Sequence, residues 1–194
     1  NLVKSEEGLL ELYKEELDNE KMRKMNEKII EYETLYHKTI KGIYYLDEYE
    51  ETGIYLENYG AHILEQGTCF FEFLDNTIVE LVVNEDKGGL IFYEVTLEMI
   101  TKLQLKKIEK DPLWAKVSNK KVSGFNKYYG TLIINEGKNK YEEEYLSTLE
   151  IIFWNGERIF ISNAGFYDKD TIIGMTGDLL IYSKRKVGLD LNLF

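Results

Sequence analysis

The chain has 194 residues, of which 44% are hydrophobic and 13% aromatic, and its formal net charge is −11. This composition excludes a disordered or collagen-like chain and indicates one globular domain, with or without a helical extension. A single cysteine, Cys69, excludes an intrachain disulfide and a zinc site built from cysteines. No apolar run approaches the roughly 20 residues of a membrane-spanning helix.

The charge is distributed unevenly along the chain. Residues 1–101 hold 9 basic and 23 acidic side chains, whereas residues 102–140 hold 10 lysines and 3 acidic side chains. Lysines interleaved with Trp114 and Phe125 would suit single-stranded nucleic acid. The acidic total and the lack of Arg in this stretch argue against that partner, because Arg makes the bidentate phosphate contacts. We therefore expect a basic protein partner and no nucleic acid.

The N-terminal region has the apolar spacing of helices over residues 5–40. Two sets of apolar residues follow this spacing in different phases: Leu10, Tyr13 and Leu17, then Met22, Met25, Ile29, Tyr32 and Tyr36. Either a helix ends near Asp18 or one helix changes its buried face. The second set predicts a helix packed on a sheet, with a homodimer through the Met22–Tyr36 seam as an alternative. We assign residues 1–41 to an N-terminal helical segment and 42–194 to a sheet domain.

Strand patterns dominate the middle of the chain. Residues 42–46 and 53–56 both begin with Gly-Ile-Tyr and are predicted as neighbouring strands. Alternating apolar residues then predict a β-meander, whose strand candidates are residues 61–65, 68–74, 77–83 and 89–95. Asp75-Asn76 is predicted as a two-residue turn. Thr96 can cap a helix that runs to about residue 110, where Asp111-Pro112 would end it.

The strongest local signal is Asn155-Gly156, which favours a two-residue hairpin turn. That turn pairs Ile152 with Ile159 and Phe153 with Arg158. It places Ile152, Trp154, Ile159 and Ile161 on one face, and both faces are apolar enough that each should be covered. The fold class predicted overall is α+β, with an N-terminal helical segment packed on a largely antiparallel, meander-like sheet and one further helix near residues 96–110.

Motifs for catalysis or cofactor binding are not recognisable. Gly137-Lys138-Asn139 lacks the hydroxyl residue and the earlier glycine of a phosphate-binding loop. Asp168 and Asp170 resemble the start of a calcium loop, but isoleucines occupy the fifth and sixth loop positions. The two histidines, His37 and His62, are too few for most histidine-based metal sites. We expect no enzymatic activity, no cofactor and no metal.

Two acidic clusters flanked by tyrosines are the candidate partner-binding residues. Carboxylates steer a basic protein and aromatic side chains anchor it. The candidates are Asp47, Glu48, Tyr49, Glu50, Glu51, Tyr55, Glu142, Glu143 and Glu144. The pattern favours a soluble, acidic protein-binding module, most specifically an inhibitor or immunity-type protein that neutralises a basic bacterial toxin or nuclease. The alternative is a small-ligand-binding protein, or an enzyme using carboxylates and tyrosines in a sheet-lined pocket.

The compartment is only loosely indicated. A single cysteine favours a cytoplasmic protein. Because the first residue is Asn1 rather than Met, a secreted or surface-anchored processed form stays open.

Overall fold

The computed structural model describes residues 28–46, 54–56, 59–64, 68–84, 89–101, 103, 105–108, 110–136, 139–168 and 171–194. In chain order, the described elements are β1 (Lys28–Ile30), a 3-10 helix (Tyr32–Leu35), β2 (Ile40–Leu46), β3 (Ile54–Leu56), β4 (Ala61–Leu64), β5 (Cys69–Phe73), β6 (Ile78–Val83), β7 (Leu90–Val95), α1 (Leu97–Thr101), β8 (Leu105–Lys107), α2 (Pro112–Ala115), β9 (Val122–Glu136), β10 (Asn139–Phe153), β11 (Arg158–Asp168), β12 (Thr171–Tyr182) and α3 (Arg185–Asp190).

The strands form two antiparallel sheets that face each other. The first sheet has the order β1-β7-β6-β5-β2-β8, and the second has the order β3-β4-β12-β11-β10-β9. Apolar side chains from both sheets fill one shared core, which includes Phe71 and Phe92 from the first sheet and Ile151 and Ile161 from the second. Trp114 of α2 is fully buried in the same core. The fold is therefore a two-layer β-sandwich.

The outer face of each sheet is also partly covered. On the second sheet, Phe160 and Tyr182 stack with ring centroids 5.2 Å apart, and α3 and the last residues pack over them through Val187 and Leu193. On the first sheet, Phe70 lies in a smaller apolar cluster that also contains residues after β7. This double coverage explains why the strands are apolar on both faces.

The predicted α+β class is wrong, because short helices accompany two sheets in the described residues. Residues 28–39, near the C-terminal end of the predicted helical region, form β1 and the 3-10 helix before β2 begins at Ile40. Ile29 pairs with Tyr93 of β7, while Tyr32 packs edge-on against Phe92 with a centroid distance of 5.4 Å. Cross-strand pairing and burial have overridden the local periodicity. The rest of the predicted helix, residues 5–27, lies outside the described residues.

The helix predicted near residues 96–110 is also wrong in extent. It ends at Thr101, and β8 then pairs with β2. Asp111 begins a helix instead of ending one: its carboxylate accepts a hydrogen bond from the Leu113 N–H at 2.8 Å. Pro112 takes the first position of α2. An N–H at that position would make no hydrogen bond within the helix, so proline loses none there.

The antiparallel pairing of the strands is confirmed, but the division of the strands between two sheets was not predicted. Strands β4 to β7 match the four candidates between residues 61 and 95. However, β4 pairs with β12 and β3 in the second sheet, whereas β5, β6 and β7 belong to the first. The two Gly-Ile-Tyr strands, predicted as neighbours, are β2 and β3 and lie in different sheets.

The registers predicted for both tight hairpins are wrong by one residue. Ile151 pairs with Ile159, and Ile152 pairs with Arg158. The turn has three residues, closed by a hydrogen bond from the Phe153 N–H to the Glu157 carbonyl at 3.0 Å, and Gly156 has φ +83. The β5–β6 turn repeats this geometry with Asn76 at φ +65. Asn and Gly tolerate this left-handed conformation, so the dipeptides permit either turn length.

The one-residue shift exchanges the faces of the hairpin strands. Ile159 and Ile161 are fully buried between the sheets, on the same side as Ile151. Ile152 is half-buried on the other side, and Trp154 in the turn is 64% exposed. The expectation that all four predicted face residues are covered therefore holds for two of them only.

Candidate functional site

The longest strand pair of the molecule forms an exposed arm. Strands β9 and β10 pair from Val122 and Phe153 out to Glu136 and Asn139. In contrast, β10 pairs with β11 only between residues 148 and 152. Residues 129–136 and 139–145 therefore extend past the sheet as a two-stranded ribbon, which we call the arm.

Apolar and acidic side chains share one face of the arm. Cross-strand pairs place Thr131 opposite Glu144 and Ile133 opposite Glu142. Alternation along β9 adds Tyr129 to this face. Tyr129 is 58% exposed and Ile133 is 49% exposed, and both glutamates are exposed. A β-branched residue flanked by carboxylates is therefore presented to solvent.

The opposite face of the arm is partly packed. Glu143 pairs with Leu132, and Tyr145 pairs with Gly130. The Tyr145 ring lies over Gly130, since a Cβ added at residue 130 would be 2.6 Å from the ring Cζ. Burial by these contacts raises the pKa of Tyr145 above its usual value. An aromatic ring covering a glycine on the neighbouring strand stabilises a two-stranded ribbon.

The base of the arm is anchored by a buried carboxylate. Glu150 of β10 accepts hydrogen bonds from Asn126 Nδ2 at 2.7 Å, Tyr128 Oη at 2.8 Å and Arg158 Nη1 at 2.6 Å. Burial raises the pKa of this carboxyl, but the three donors outweigh burial and hold the pKa below its usual value. Arg185 of α3 donates to the Tyr128 oxygen at 3.2 Å. This network ties β9, β10 and β11 together where the arm begins.

A second polar network crosses between the sheets. Trp114 Nε1–H donates to Tyr45 Oη at 2.7 Å, and Tyr45 Oη lies 3.0 Å from His62 Nδ1. His62 Nε2 lies 3.3 Å from Asp111 Oδ1. When Tyr45 Oη–H donates to His62 Nδ1 and His62 Nε2–H donates to Asp111 Oδ1, each polar hydrogen of Trp114, Tyr45 and His62 in this network has one acceptor. Burial lowers the pKa of His62, although Asp111 opposes the shift.

The order Tyr–His–Asp resembles an acid–base relay, but its setting is structural. Tyr45 is 9% exposed, His62 is 8% exposed and Trp114 is fully buried. The network joins β2 of the first sheet, β4 of the second sheet and α2. We call these four residues, Trp114, Tyr45, His62 and Asp111, the latch.

An open cleft lies at the turn end of the sandwich. It has a volume of about 430 Å³ and is lined by Tyr36, His37, Lys38, Leu74 and Lys121 among others. Lys38 is paired with Asp75. The Lys121 ammonium lies 5.2 Å from the centre of the Trp154 ring. The cations of this cleft are therefore already engaged with neighbouring side chains.

The predicted binding residues are placed at two separate positions. Glu142, Glu143 and Glu144 are exposed on the arm. Tyr55 lies on β3, which is four positions away from β10 in the strand order. The other predicted residues, Asp47 to Glu51, lie outside the described residues.

Sequence reasoning missed the apolar part of the arm and the latch. Residues 128–135 contain no charge, but nothing in this stretch indicates that a strand leaves the sheet there. The feature of the sequence that could have indicated the latch was His62, a histidine within an apolar strand. Its partners, Tyr45 and Asp111, are distant in the sequence.

Fold and site together define an antiparallel β-sandwich that carries a two-stranded arm. Comparison of the chain with protein-family models, curated proteins and solved structures gave no match. Among the described residues, no three His, Cys, Asp or Glu side chains are grouped as metal ligands would be. No helix in the described part of the chain has the length and apolar character needed to span a membrane.

Proposed function

We propose that this chain is a non-catalytic protein-binding module that binds a basic partner protein through the arm. The observation that supports this proposal is the exposure of Ile133 and Tyr129 on the same face as Glu142 and Glu144. A contact surface needs an apolar anchor as well as charge, since exposed carboxylates alone contribute mainly to encounter rate and partner selection.

The charge of the whole molecule favours the same kind of partner. A net charge of −11 produces a long-range field that attracts basic proteins. Burying the exposed half of Ile133 would contribute about 1 kcal/mol to binding. The most specific form of the proposal is an inhibitor or immunity-type protein that covers the active site of a basic bacterial toxin or nuclease.

The test is a binding measurement against defined partners. Basic proteins encoded beside the gene are purified and titrated calorimetrically with the full chain at 0.05 M and 0.5 M NaCl. The variant Glu142→Gln/Glu143→Gln/Glu144→Gln should bind at least about tenfold more weakly at low salt, because it removes charge from the arm.

A matched control separates the arm from the total charge. The variant Glu94→Gln/Glu98→Gln/Glu157→Gln changes the net charge equally at residues of β7, α1 and the β10–β11 turn, away from the arm. It should change the affinity by less than about threefold. Equal losses in the two variants, or no binding by any basic neighbour, would contradict the proposal.

A further inference from the structure

The outer edge of β9 is long and little protected. In the part of the chain that the structure describes, the two sheets end in β1, β8, β3 and β9, and the first three have three residues each. β9 has 15 residues. Proteins usually protect an edge strand by shortening it or by placing charges or proline on it, because its free N–H and C=O groups recruit further strands.

The N-terminal half of this edge is covered and the arm half is not, within the described residues. Val122 exchanges hydrogen bonds with His37 and Lys38, and Tyr36 stacks on Phe125 with a centroid distance of 5.6 Å. Lys127 is turned onto the Tyr32 ring, with its ammonium 4.5 Å from the ring centre. Residues 128–135 that follow carry neither charge nor proline. The usual protection is therefore missing where the strand becomes an arm.

We propose that the arm binds its partner by strand addition: an extended basic segment of another protein pairs with the outer edge of β9 along residues 129–135. This inference rests on the proposed function and specifies how the arm is used. Main-chain hydrogen bonds along the edge would supply affinity, and alternate side chains would supply selectivity.

Charge complementarity identifies the added segment as basic. Neighbouring strands lie about 4.8 Å apart, so a residue added opposite Thr131 would have its Cα about 10 Å from that of Glu144. A lysine or arginine can reach over the short Thr131 side chain to that carboxylate. Two residues further along β9, Ile133 pairs with Glu142, so a residue added opposite Ile133 would lie at the same distance from Glu142. Basic residues at every second position would therefore meet this row of carboxylates.

A second copy of the chain is a poorer occupant of the same edge. Pairing β9 with another β9 would bring together two molecules of net charge −11 and would supply no cation to Glu142 and Glu144. The oligomeric state of the full chain tests this alternative directly.

The experiment uses eight-residue peptides with blocked ends that alternate lysine with threonine. Their binding to the full chain is compared with that of a glutamate–threonine peptide and of two backbone N-methylated forms, methylated at odd or at even residues. Strand addition uses every second N–H of the peptide. One methylated form should therefore lose at least about tenfold in affinity while the other stays within about threefold, and the glutamate peptide should not bind.

Variants of the protein locate the site on the edge. Thr131→Lys places a charge on β9 and should weaken peptide binding at least about tenfold. Ala115→Lys adds the same charge at an exposed residue of α2 and should leave binding within about twofold. Equal binding of the two methylated peptides would overturn strand addition. A dimer of the parent chain that Thr131→Lys dissociates would identify a second copy as the occupant and also overturn it.

The outcomes separate this inference from the proposed function. One outcome contradicts strand addition only. In it, a basic neighbour protein binds and the Glu142–Glu144 variant lowers its affinity, but the lysine peptides do not bind or bind equally well in both N-methylated forms. If neither proteins nor peptides of basic character bind, the proposed function fails with it.

Discussion

Replacing Tyr45 with Phe should lower the free energy of unfolding by more than the loss of one ordinary hydrogen bond would. The Tyr45 hydroxyl is the central member of the latch, because it accepts from Trp114 Nε1 at 2.7 Å and lies 3.0 Å from His62 Nδ1. Tyr45→Phe keeps the ring in the core and removes only the oxygen. Trp114 is fully buried, so its N–H would lose this acceptor where water cannot replace it.

The size of the effect follows from these two contacts. A buried donor or acceptor left unsatisfied costs about 1–3 kcal/mol, so two of them give a loss of about 2–6 kcal/mol. With a urea m-value of about 2 kcal/mol/M, the midpoint of unfolding should fall by about 1–3 M. Circular dichroism in urea measures this shift for the full chain.

Tyr36→Phe is the matched control. Tyr36 is partly exposed and its ring stacks on Phe125, so removal of its hydroxyl should change the free energy of unfolding by less than about 0.5 kcal/mol. If Tyr45→Phe and Tyr36→Phe lower stability equally, the latch does not hold the sheets together and the reasoning is refuted.

Three further predictions concern buried groups. Burial lowers the pKa of His62 below 6.5 in the folded chain, although Asp111 opposes the shift. As the pH falls, His62 therefore takes up a proton in the unfolded chain before it does so in the folded chain. The free energy of unfolding should fall as the pH drops from about 6.5 towards the folded pKa. His62→Gln should flatten this dependence in urea titrations at successive pH values. Cys69 is fully buried and burial raises its thiol pKa, so Ellman's reagent should label it only at the rate of unfolding; fast labelling under native conditions would contradict this. A Cβ at residue 165 would be 2.7 Å from Asp178 Cγ; Gly165→Ala should cost about 1–3 kcal/mol, and adding Asp178→Ala should recover part of it, as a double-mutant cycle measures.

Strands β4 to β7 were predictable from the sequence, whereas β1 and β8 fell within predicted helices and the arrangement of the strands was not predictable. Alternating apolar residues and turn residues located β4 to β7 correctly, because both are local properties. The assignment of β2 and β3 to different sheets depends on contacts distant in the sequence. Hairpin register also escaped prediction, since Asn155-Gly156 fits a two-residue and a three-residue turn, and one residue exchanges the two faces.

The candidate site was predictable in its charge and not in its apolar part. Glu142, Glu143 and Glu144 were selected because consecutive carboxylates are visible in any sequence. Ile133 was not selected, because β-branched residues normally indicate a buried strand. Its exposure depends on where β10 stops pairing with β11, and no local pattern records that position.

The latch and the arm lie on opposite sides of the sandwich. The latch connects β2 and β4, each of which is one strand in from its edge. The arm leaves the other side next to Leu146. The backbone of Leu146 lies close to Gly89, the residue before β7: a Cβ at residue 89 would be 3.2 Å from the Leu146 nitrogen. Beyond this contact, residues 129–135 use their inner edge for β10 and keep the outer edge apart from the core. A strand added there would leave the packing between the sheets unchanged, so the arm can bind at little structural cost.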